Sequence, residues 1–440
     1  MRYQWQVVYC YLILPLLKIA VRLLAIKHQK TARTLQGHQG LWNRIEQQAK
    51  QFDNNKPLIW FHVASAGELL QAQPVMERFM AHGYACALTM TSVSGMAWAN
   101  KLKQNYSDLV LVDYLPFDST KNIRRLLKLL NPVATIYVKF DLWPNLIWQC
   151  HQQAIPQFLI SATLREQSKR LTNPLGRSLY RSLYACLNGI YAVSKADQQR
   201  FLVTNPNHPA ILQVGDTRFD SVLDRKKNIS PPTLPAHLKD RTTMVLGSTW
   251  PTDEIHIFPA IQKALTEDPQ RLVFIAPHET KAEHLLEIEN YFSQQKMVRF
   301  SQLDENTDIN MVLIDSVGLL SALYHYADIA FVGGAFGKGV HNVMEPAAMG
   351  VPAICGPYYQ NSPEVIELVE QKKCFSITNQ EDFQHMLFGL LSDLTHTHEL
   401  GQQAANYIEQ QAGASDTCFR LIEDQLNEQH PSSASYAQSL

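Results

Sequence analysis

FVGGAFGKGVHNVMEPAAMGVPAICGP, Phe331 to Pro357, sets the fold class of the chain. It opens as a buried, β-prone run. It then turns through Gly333, Gly334, Gly337 and Gly339 and passes into a short helix, and a second glycine-bounded strand closes it. Strand, glycine-rich turn, helix and strand make a βαβ unit of a parallel sheet. The four glycines let backbone approach a ligand closely. Pro346 is best tolerated near a helix N-terminus, and Asn342 and Glu345, three apart, lie on one helix face.

The same pattern extends in both directions. Toward the N-terminus the chain alternates helix-like stretches with short apolar runs: PLIWFHVAS (57–65), ACALTMT (85–91), LVLVDYLP (109–116), VATIYVK (133–139), PQFLISAT (156–163), GIYAVS (189–194) and ILQVG (211–215). These runs are continuous rather than alternating, as parallel strands covered on both faces require. The proline-rich KKNISPPTLPAHLK (226–239) lacks apolar periodicity and reads as a linker. The pattern restarts with TMVLGST (243–249), RLVFIAPH (271–278), MVLID (311–315), IAFVGG (329–334) and PAICGP (352–357). The expected organisation is an N-terminal segment 1–35, an α/β domain 36–225, a linker 226–240, a second α/β domain 241–428 and a flexible tail 429–440. Two doubly wound domains of this kind are expected to face a cleft lined by the carboxyl ends of their strands.

Composition narrows the function. A formal net charge of −1 with 18% charged residues leaves no basic footprint for nucleic acid. The seven cysteines are scattered with no CxxC pair, which argues against a disulfide framework or zinc knuckle and for a reducing compartment. No cluster of His, Cys, Asp and Glu has metal-ligand spacing and there is no Asp-x-Asp, so neither metal nor cofactor is expected. The charge is uneven along the chain. No acidic residue precedes Glu46, whereas Arg2, Lys18, Arg22, Lys27, Lys30, Arg33 and Arg44 do. Among them lies WQVVYCYLILPLLKIAVRLLAI, Trp5–Ile26. Its uninterrupted apolar run, Val7–Leu17, is shorter than the roughly 20 residues of a spanning helix. The expectation is a helix lying in an anionic leaflet, its basic flank keeping the rest on the cytoplasmic side. An amphipathic core helix and a single span are the alternatives.

Loops at strand ends carry the candidate chemistry. GSTWPTDE (247–254) offers backbone donors and hydroxyls to a phosphate, and IDSVGLL (314–320) puts a Ser-x-Gly turn before a helix. HVASAGE (62–68) ends a strand in small residues and a carboxylate, Glu68. Glu68 is either a catalytic base or a cap of the following helix.

Together these pieces resemble the bacterial Kdo transferases, which move 3-deoxy-D-manno-oct-2-ulosonic acid (Kdo) from CMP-Kdo onto lipid A precursor. GGAFGKGVHNVMEPAAMGVPAICGP is similar to their donor-site signature, and HVASAGE to their first-strand motif ending in an essential glutamate. LWPN (142–145), VGDTRFD (214–220) and YYQNSPEV (358–365) resemble further segments in the same order. The resemblance implies a GT-B glycosyltransferase of two Rossmann-like domains, acceptor on the first and donor nucleotide on the second. It implies Glu68 as catalytic base. It implies Ser248, Thr249, Gly318, Asn342 and Glu345 as donor contacts, Glu345 on the ribose hydroxyls. His278 is kept from the Pro-Arg-His-Pro-Glu loop, where Pro277 replaces the arginine. Lys139 stands at the first acidic position of the Glu-x-Glu-Leu-Trp-Pro segment and Asp141 at the second. With Ser65 and Gly67 they are the expected acceptor contacts. Lys338 and His341 are expected to offer charge or donors to the phosphate and sugar carboxylate, helped by the N–H groups of the helix after Gly339.

The expected partners are CMP-Kdo, lipid A precursor and the cytoplasmic face of an inner membrane, with no nucleic acid. Two other readings are a GT-B enzyme using a UDP-sugar and a non-catalytic GT-B scaffold. A pyrophosphate donor favours a longer glycine run and more basic residues, and a scaffold has no use for Glu68.

Overall fold

A computed structural model describes residues 2–52, 56–305, 308–337, 339–360 and 362–429. Among them the chain forms two seven-stranded parallel sheets. The first holds β1 (Leu58–Val63), β2 (Ala85–Met90), β3 (Leu109–Tyr114), β4 (Ala134–Val138), β5 (Gln157–Ala162), β6 (Gly189–Ala192) and β7 (Ile211–Gln213), in the order β3-β2-β1-β4-β5-β6-β7. The second holds β8 (Thr243–Thr249), β9 (Leu272–Pro277), β10 (Met297–Arg299), β11 (Met311–Leu313), β12 (Ile329–Val332), β13 (Ala353–Cys355) and β14 (Cys374–Ser376), in the order β10-β11-β9-β8-β12-β13-β14. In each sheet the first strand is internal: β1 has two strands on one side and four on the other, and β8 has three on each. The chain fills one side of it first and then the other; in the second sheet β10 takes the edge and β11 is inserted between it and β9. The strand order reverses between β1 and β4 in one sheet and between β8 and β12 in the other. Ligands of open parallel sheets bind outside the carboxyl ends of strands at such a reversal.

The continuous apolar runs are explained by cover on both faces. Leu58 and Trp60 enter one hydrophobic cluster, while Ile59, Phe61 and Val63 enter another. In the second sheet Met244 and Leu246 face one cluster and Val245 the other. Alternate side chains of a strand point to opposite faces, so two apolar layers demand apolar residues at every position. The short strands β10 and β14 fall outside the runs read from the sequence. MVR and CFS are only three residues each and half-buried in part.

The contacts divide the chain into one compact unit up to Ser221 plus the stretch from Ala412 onward, and a second unit, Val222–Gln411. This differs from the expected boundaries in two places. Within the expected second domain, helix Leu394–Gln410 is separated from the last helix at Gly413, whose φ of 102° a helix does not permit. The last helix, Ala414–Gln429, packs on helix Ala66–Ala81 of the first unit through Cys418, Phe419, Ile422 and Leu426. Phe419 stands edge-on to Phe79 at 4.9 Å, and Asp220 accepts from Gly413 N and Ser415 N, fixing the start of that helix. The expected linker is also structured. Helix Arg218–Asn228 enters it, Leu234 and Leu238 are buried in the second unit, and Tyr326 Oη donates to Pro232 O at 2.7 Å. Prolines suppressed the helical period there, but not the burial.

Residues Arg2–Lys27 form one helix of 26 residues, long and apolar enough to cross a membrane. It includes a π-helical turn at Tyr9–Ile13, just ahead of Pro15, whose missing N–H and bulky ring strain an α-helical ladder. One face is docked on the first unit. Trp5 Nε1 donates to Ser178 Oγ at 3.0 Å, Tyr9 Oη to Asp118 Oδ2 at 2.9 Å and Cys10 Sγ to Asn145 Oδ1 at 3.2 Å. Tyr9 and Leu14 are buried, whereas Tyr11, Leu12, Leu16, Ile19, Leu23, Leu24 and Ile26 are exposed. Of the expected tail 429–440, Gln429 ends the last helix and 430–440 lie outside the described residues.

Candidate functional site

In the first unit the chain leaves β1, passes Ala64 and Ser65, and enters helix Ala66–Ala81. Glu68 sits in the first turn. Its Oε2 accepts from Ala64 N at 2.5 Å. It is 5% exposed, and burial, with a smaller push from Asp141, raises its pKa to about 7 against the pull of the Ala64 N–H. The cap contact anticipated as the alternative for Glu68 therefore exists. It occupies one oxygen, and among the described residues Oε1 accepts no hydrogen bond. Gly67, an expected acceptor contact, lies in the first turn of the helix. A Cβ there would meet only Ser65 Oγ, at 3.9 Å, so glycine leaves open space beside Glu68.

Across the strand reversal, β4 ends at Val138 and leads into Lys139 and Asp141. Lys139 adopts φ 60°, a left-handed conformation that L-residues seldom hold, with its N–H bonded to Ile160 O and its carbonyl to Thr163 N. Asp141 Oδ2 is fixed by His62 Nε2 at 3.2 Å, Thr91 Oγ1 at 3.0 Å and Trp143 Nε1 at 3.2 Å. These donors hold its pKa below the usual range despite burial. His62 Nδ1 in turn meets Thr89 Oγ1 at 2.9 Å. So Asp141 stays ionised, and its charge, with burial, makes Glu68 the better proton acceptor. His62, Thr91 and Trp143 were not singled out from the sequence. His62 lies inside the HVASAGE motif, but its contact with Asp141 spans 79 residues and no local pattern signals it.

In the second unit the corresponding place is the reversal between β8 and β12. Ser248 sits near the end of β8 with φ 54°. The loop after β12 crosses it so closely that a Cβ on Gly333 would lie 2.3 Å from Ser248 O, so only glycine fits. Asp253, fully buried in the first turn of helix Pro251–Glu267, ties this loop down. Its carboxylate accepts from Trp250 N at 2.9 Å, Gly334 N at 2.8 Å and Phe336 N at 3.2 Å. Thr249 corrects an expectation. Its side chain is fully buried, and its hydroxyl donates to Glu254 Oε1 at 2.9 Å, which His284 also holds. It supports the site from beneath rather than offering a hydroxyl to a ligand.

Two further expectations change. The helix after the glycine turn is only Met344–Ala348. Residues 339–343 precede it as a loop, with Val340 N bonded to Tyr358 O and His341 N to Gly333 O. Helix N–H groups therefore do not follow Gly339 directly, and Asn342 precedes the helix, accepting from Met344 N at 3.2 Å. His341 is not a cation. Burial, and the neighbouring His278, lower its pKa to about 4. His278 is likewise lowered by burial and stacks on Trp250 at 4.5 Å and on His341 at 4.4 Å. Glu345 supplies the negative charge. Arg225 Nη1 meets its Oε1 at 2.5 Å, Asn342 Nδ2 the same oxygen at 3.1 Å, and Ser321 Oγ its Oε2 at 2.8 Å. Gly318 adopts φ 99° with open space where a Cβ would stand. Lys338 lies outside the described residues. Among those described, no three His, Cys, Asp or Glu side chains form a group able to hold a metal ion.

Glu68 and Asp141 thus lie at the strand reversal of the first unit, and Ser248 and the loop after β12 with His341 at that of the second, whereas His278 follows β9 and Gly318 follows β11. Residues 39–221 match the family model described as 3-deoxy-D-manno-octulosonic-acid transferase (Kdo transferase). A 3-deoxy-D-manno-octulosonic acid transferase of Haemophilus influenzae is 24% identical over 430 residues, which is 96% of this chain and 99% of that protein. A bifunctional glycosyltransferase/methyltransferase of Fusobacterium nucleatum is 28% identical over 336 residues, 74% of this chain and 51% of that protein. The chain spans about half the length of that relative. In fold, the chain is similar to the UDP-GlcNAc 2-epimerase of Neisseria meningitidis, with a TM-score of 0.56 and 14% identity over 81% of this chain and 99% of that one.

Proposed function

We propose that this chain, whose residues 39–221 match the Kdo transferase family model, is a member of that family and moves Kdo from CMP-Kdo to a hydroxyl of a lipid A precursor in lipopolysaccharide synthesis. The observation that carries the mechanism is Glu68, a buried carboxylate at the β1–β4 reversal with a pKa of about 7. The acceptor oxygen forms a bond to the anomeric carbon while the bond from that carbon to the phosphate oxygen of CMP breaks. The acceptor proton passes to Glu68, and CMP leaves with the bonding pair. One displacement inverts the anomeric centre. A base whose pKa lies near the working pH is part ionised yet strong enough to take the proton, and such catalysis is typically worth roughly 10²–10⁴-fold.

The second unit takes the donor in this reading. Glu345, oriented by Arg225, Ser321 and Asn342, accepts from the ribose hydroxyls. The loop after β12, with neutral donors and Lys338, receives the single phosphate and the sugar carboxylate. A monophosphate leaving group carries less charge than a pyrophosphate, so transfer is expected without a divalent cation. Activity that disappears with EDTA and returns with Mg²⁺ contradicts that part.

The acceptor is a lipid, and the exposed face of helix Arg2–Lys27 suits a membrane surface. Because Trp5, Tyr9 and Leu14 are packed into the protein, that stretch cannot offer lipid its whole circumference, and a helix lying in the cytoplasmic leaflet fits better than a span. Mass spectrometry of the lipid formed from CMP-Kdo and lipid A precursor tests the reaction. A precursor left unmodified by folded enzyme, or modified from a UDP-sugar instead, rejects it.

A further inference from the structure

Trp250 and His341 are 91 residues apart, and their rings meet edge to edge, Trp250 Nε1 at 3.0 Å from His341 Nε2. An indole N–H can only donate. His341 Nε2 must therefore accept, which leaves the proton of a neutral imidazole on Nδ1. The ring of His278 lies against both partners, with interplanar angles of 24° to Trp250 and 20° to His341. Gly334 closes the same edge, since a Cβ there would stand 2.8 Å from His341 Cδ2 and 3.1 Å from Nε2. The Nε2 edge of His341 is thus enclosed, and the Nδ1 edge is turned away from these neighbours.

We propose that Trp250 is a positioning residue of the nucleotide site: its indole N–H locks His341 as the Nδ1–H tautomer, so that the imidazole presents one fixed, neutral donor to an anionic oxygen of the sugar nucleotide. This rests on reading the loop after β12 as the donor site. A neutral donor carries no counterion and needs no pH-dependent charging. The tautomer of a histidine is set by the bond its other nitrogen makes, and Trp250 makes that bond.

The test uses full-length protein, CMP as probe, and four forms: wild type, Trp250→Phe, His341→Asn and the double variant. Nitrogen-15 NMR of the imidazoles without ligand should show His341 as Nδ1–H in wild type and a mixed or Nε2–H form in Trp250→Phe. Phenylalanine keeps a ring against His278 but has no N–H. Calorimetry should show CMP binding weakened on the order of tenfold in Trp250→Phe, as for one lost hydrogen bond. His341→Asn removes the imidazole that Trp250 orients, so by itself it should weaken CMP binding to a similar degree. In that background Trp250→Phe should cost less than about twofold, because the pair acts as a unit. An Nε2–H form in wild type, which needs no variant to fold, overturns the proposal. So does an equal loss of CMP affinity in both backgrounds. Wild type that shows the Nδ1–H form yet binds no CMP overturns instead the donor-site reading on which the ligand part stands.

Discussion

Glu68 and Asp141 are two carboxylates pushed apart by their surroundings. Three donors, His62, Thr91 and Trp143, hold Asp141 ionised, while burial keeps Glu68 protonated up to near neutrality. Activity should therefore rise with pH on an acid limb centred about pH 7. Asp141→Asn removes a charge that raises the Glu68 pKa and should move that limb to lower pH; a limb that stays in place contradicts the coupling. The effect on stability has the opposite sense. The folded-state pKa of Glu68 is raised above its ordinary carboxylate value, so its neutral form adds stability that is complete below that ordinary value and lost as pH rises through about 7. Glu68→Gln should consequently melt higher than wild type at pH 8 and not at pH 5, read by thermal unfolding at both. Asp253 poses a different test. Asp253→Ala leaves the N–H groups of Trp250, Gly334 and Phe336 without their acceptor, and one unsatisfied buried group costs about 1–3 kcal/mol. Both melting temperature and CMP affinity should fall, and unchanged CMP affinity would separate the glycine loop from the nucleotide.

Among the elements, the helix Arg2–Lys27 shows how far sequence reading reaches. Apolar character and the basic flank are plain in it, but which face meets protein is settled by Asp118 and Ser178, more than a hundred residues away. Substituting Leu16, Ile19 and Leu23 with lysine together alters only the exposed face. The triple variant should keep the wild-type melting temperature and leave anionic vesicles in a flotation assay; persistent flotation would move the membrane contact elsewhere. Most strands were legible because burial on both faces writes itself as continuous apolar runs; β10 and β14, short and only part buried, were not. The helix after Gly339 was not. VHNVMEPAAMG has helical composition, but tertiary bonds from Val340 and His341 to Tyr358 and Gly333 hold its first part as a loop. Likewise Thr249 reads as a ligand hydroxyl until Glu254 and His284 appear beneath it.

For the molecule as a whole, two successive α/β patterns identify two sheets, and the strand reversals place Glu68 and Asp141 on one, and Ser248, His341 and Glu345 on the other. The motif residues were legible since each lies at a strand end. Their supports were not: His62 under Asp141, Trp250 beside His341 and Arg225 against Glu345 are joined across 79, 91 and 120 residues. The return of the last helix to the first unit was equally hidden, because its apolar period specifies a buried face but not the core that buries it. The division of labour between the units is tested by one measurement, turnover of CMP-Kdo and lipid A precursor by Glu68→Gln at pH 8, with CMP affinity determined on the same preparation. The account predicts a loss of at least about 10²-fold in kcat with CMP binding within twofold of wild type. Turnover within a few-fold of wild type would show that Glu68 serves only as the cap seen in its bond to Ala64, and that the proton goes elsewhere.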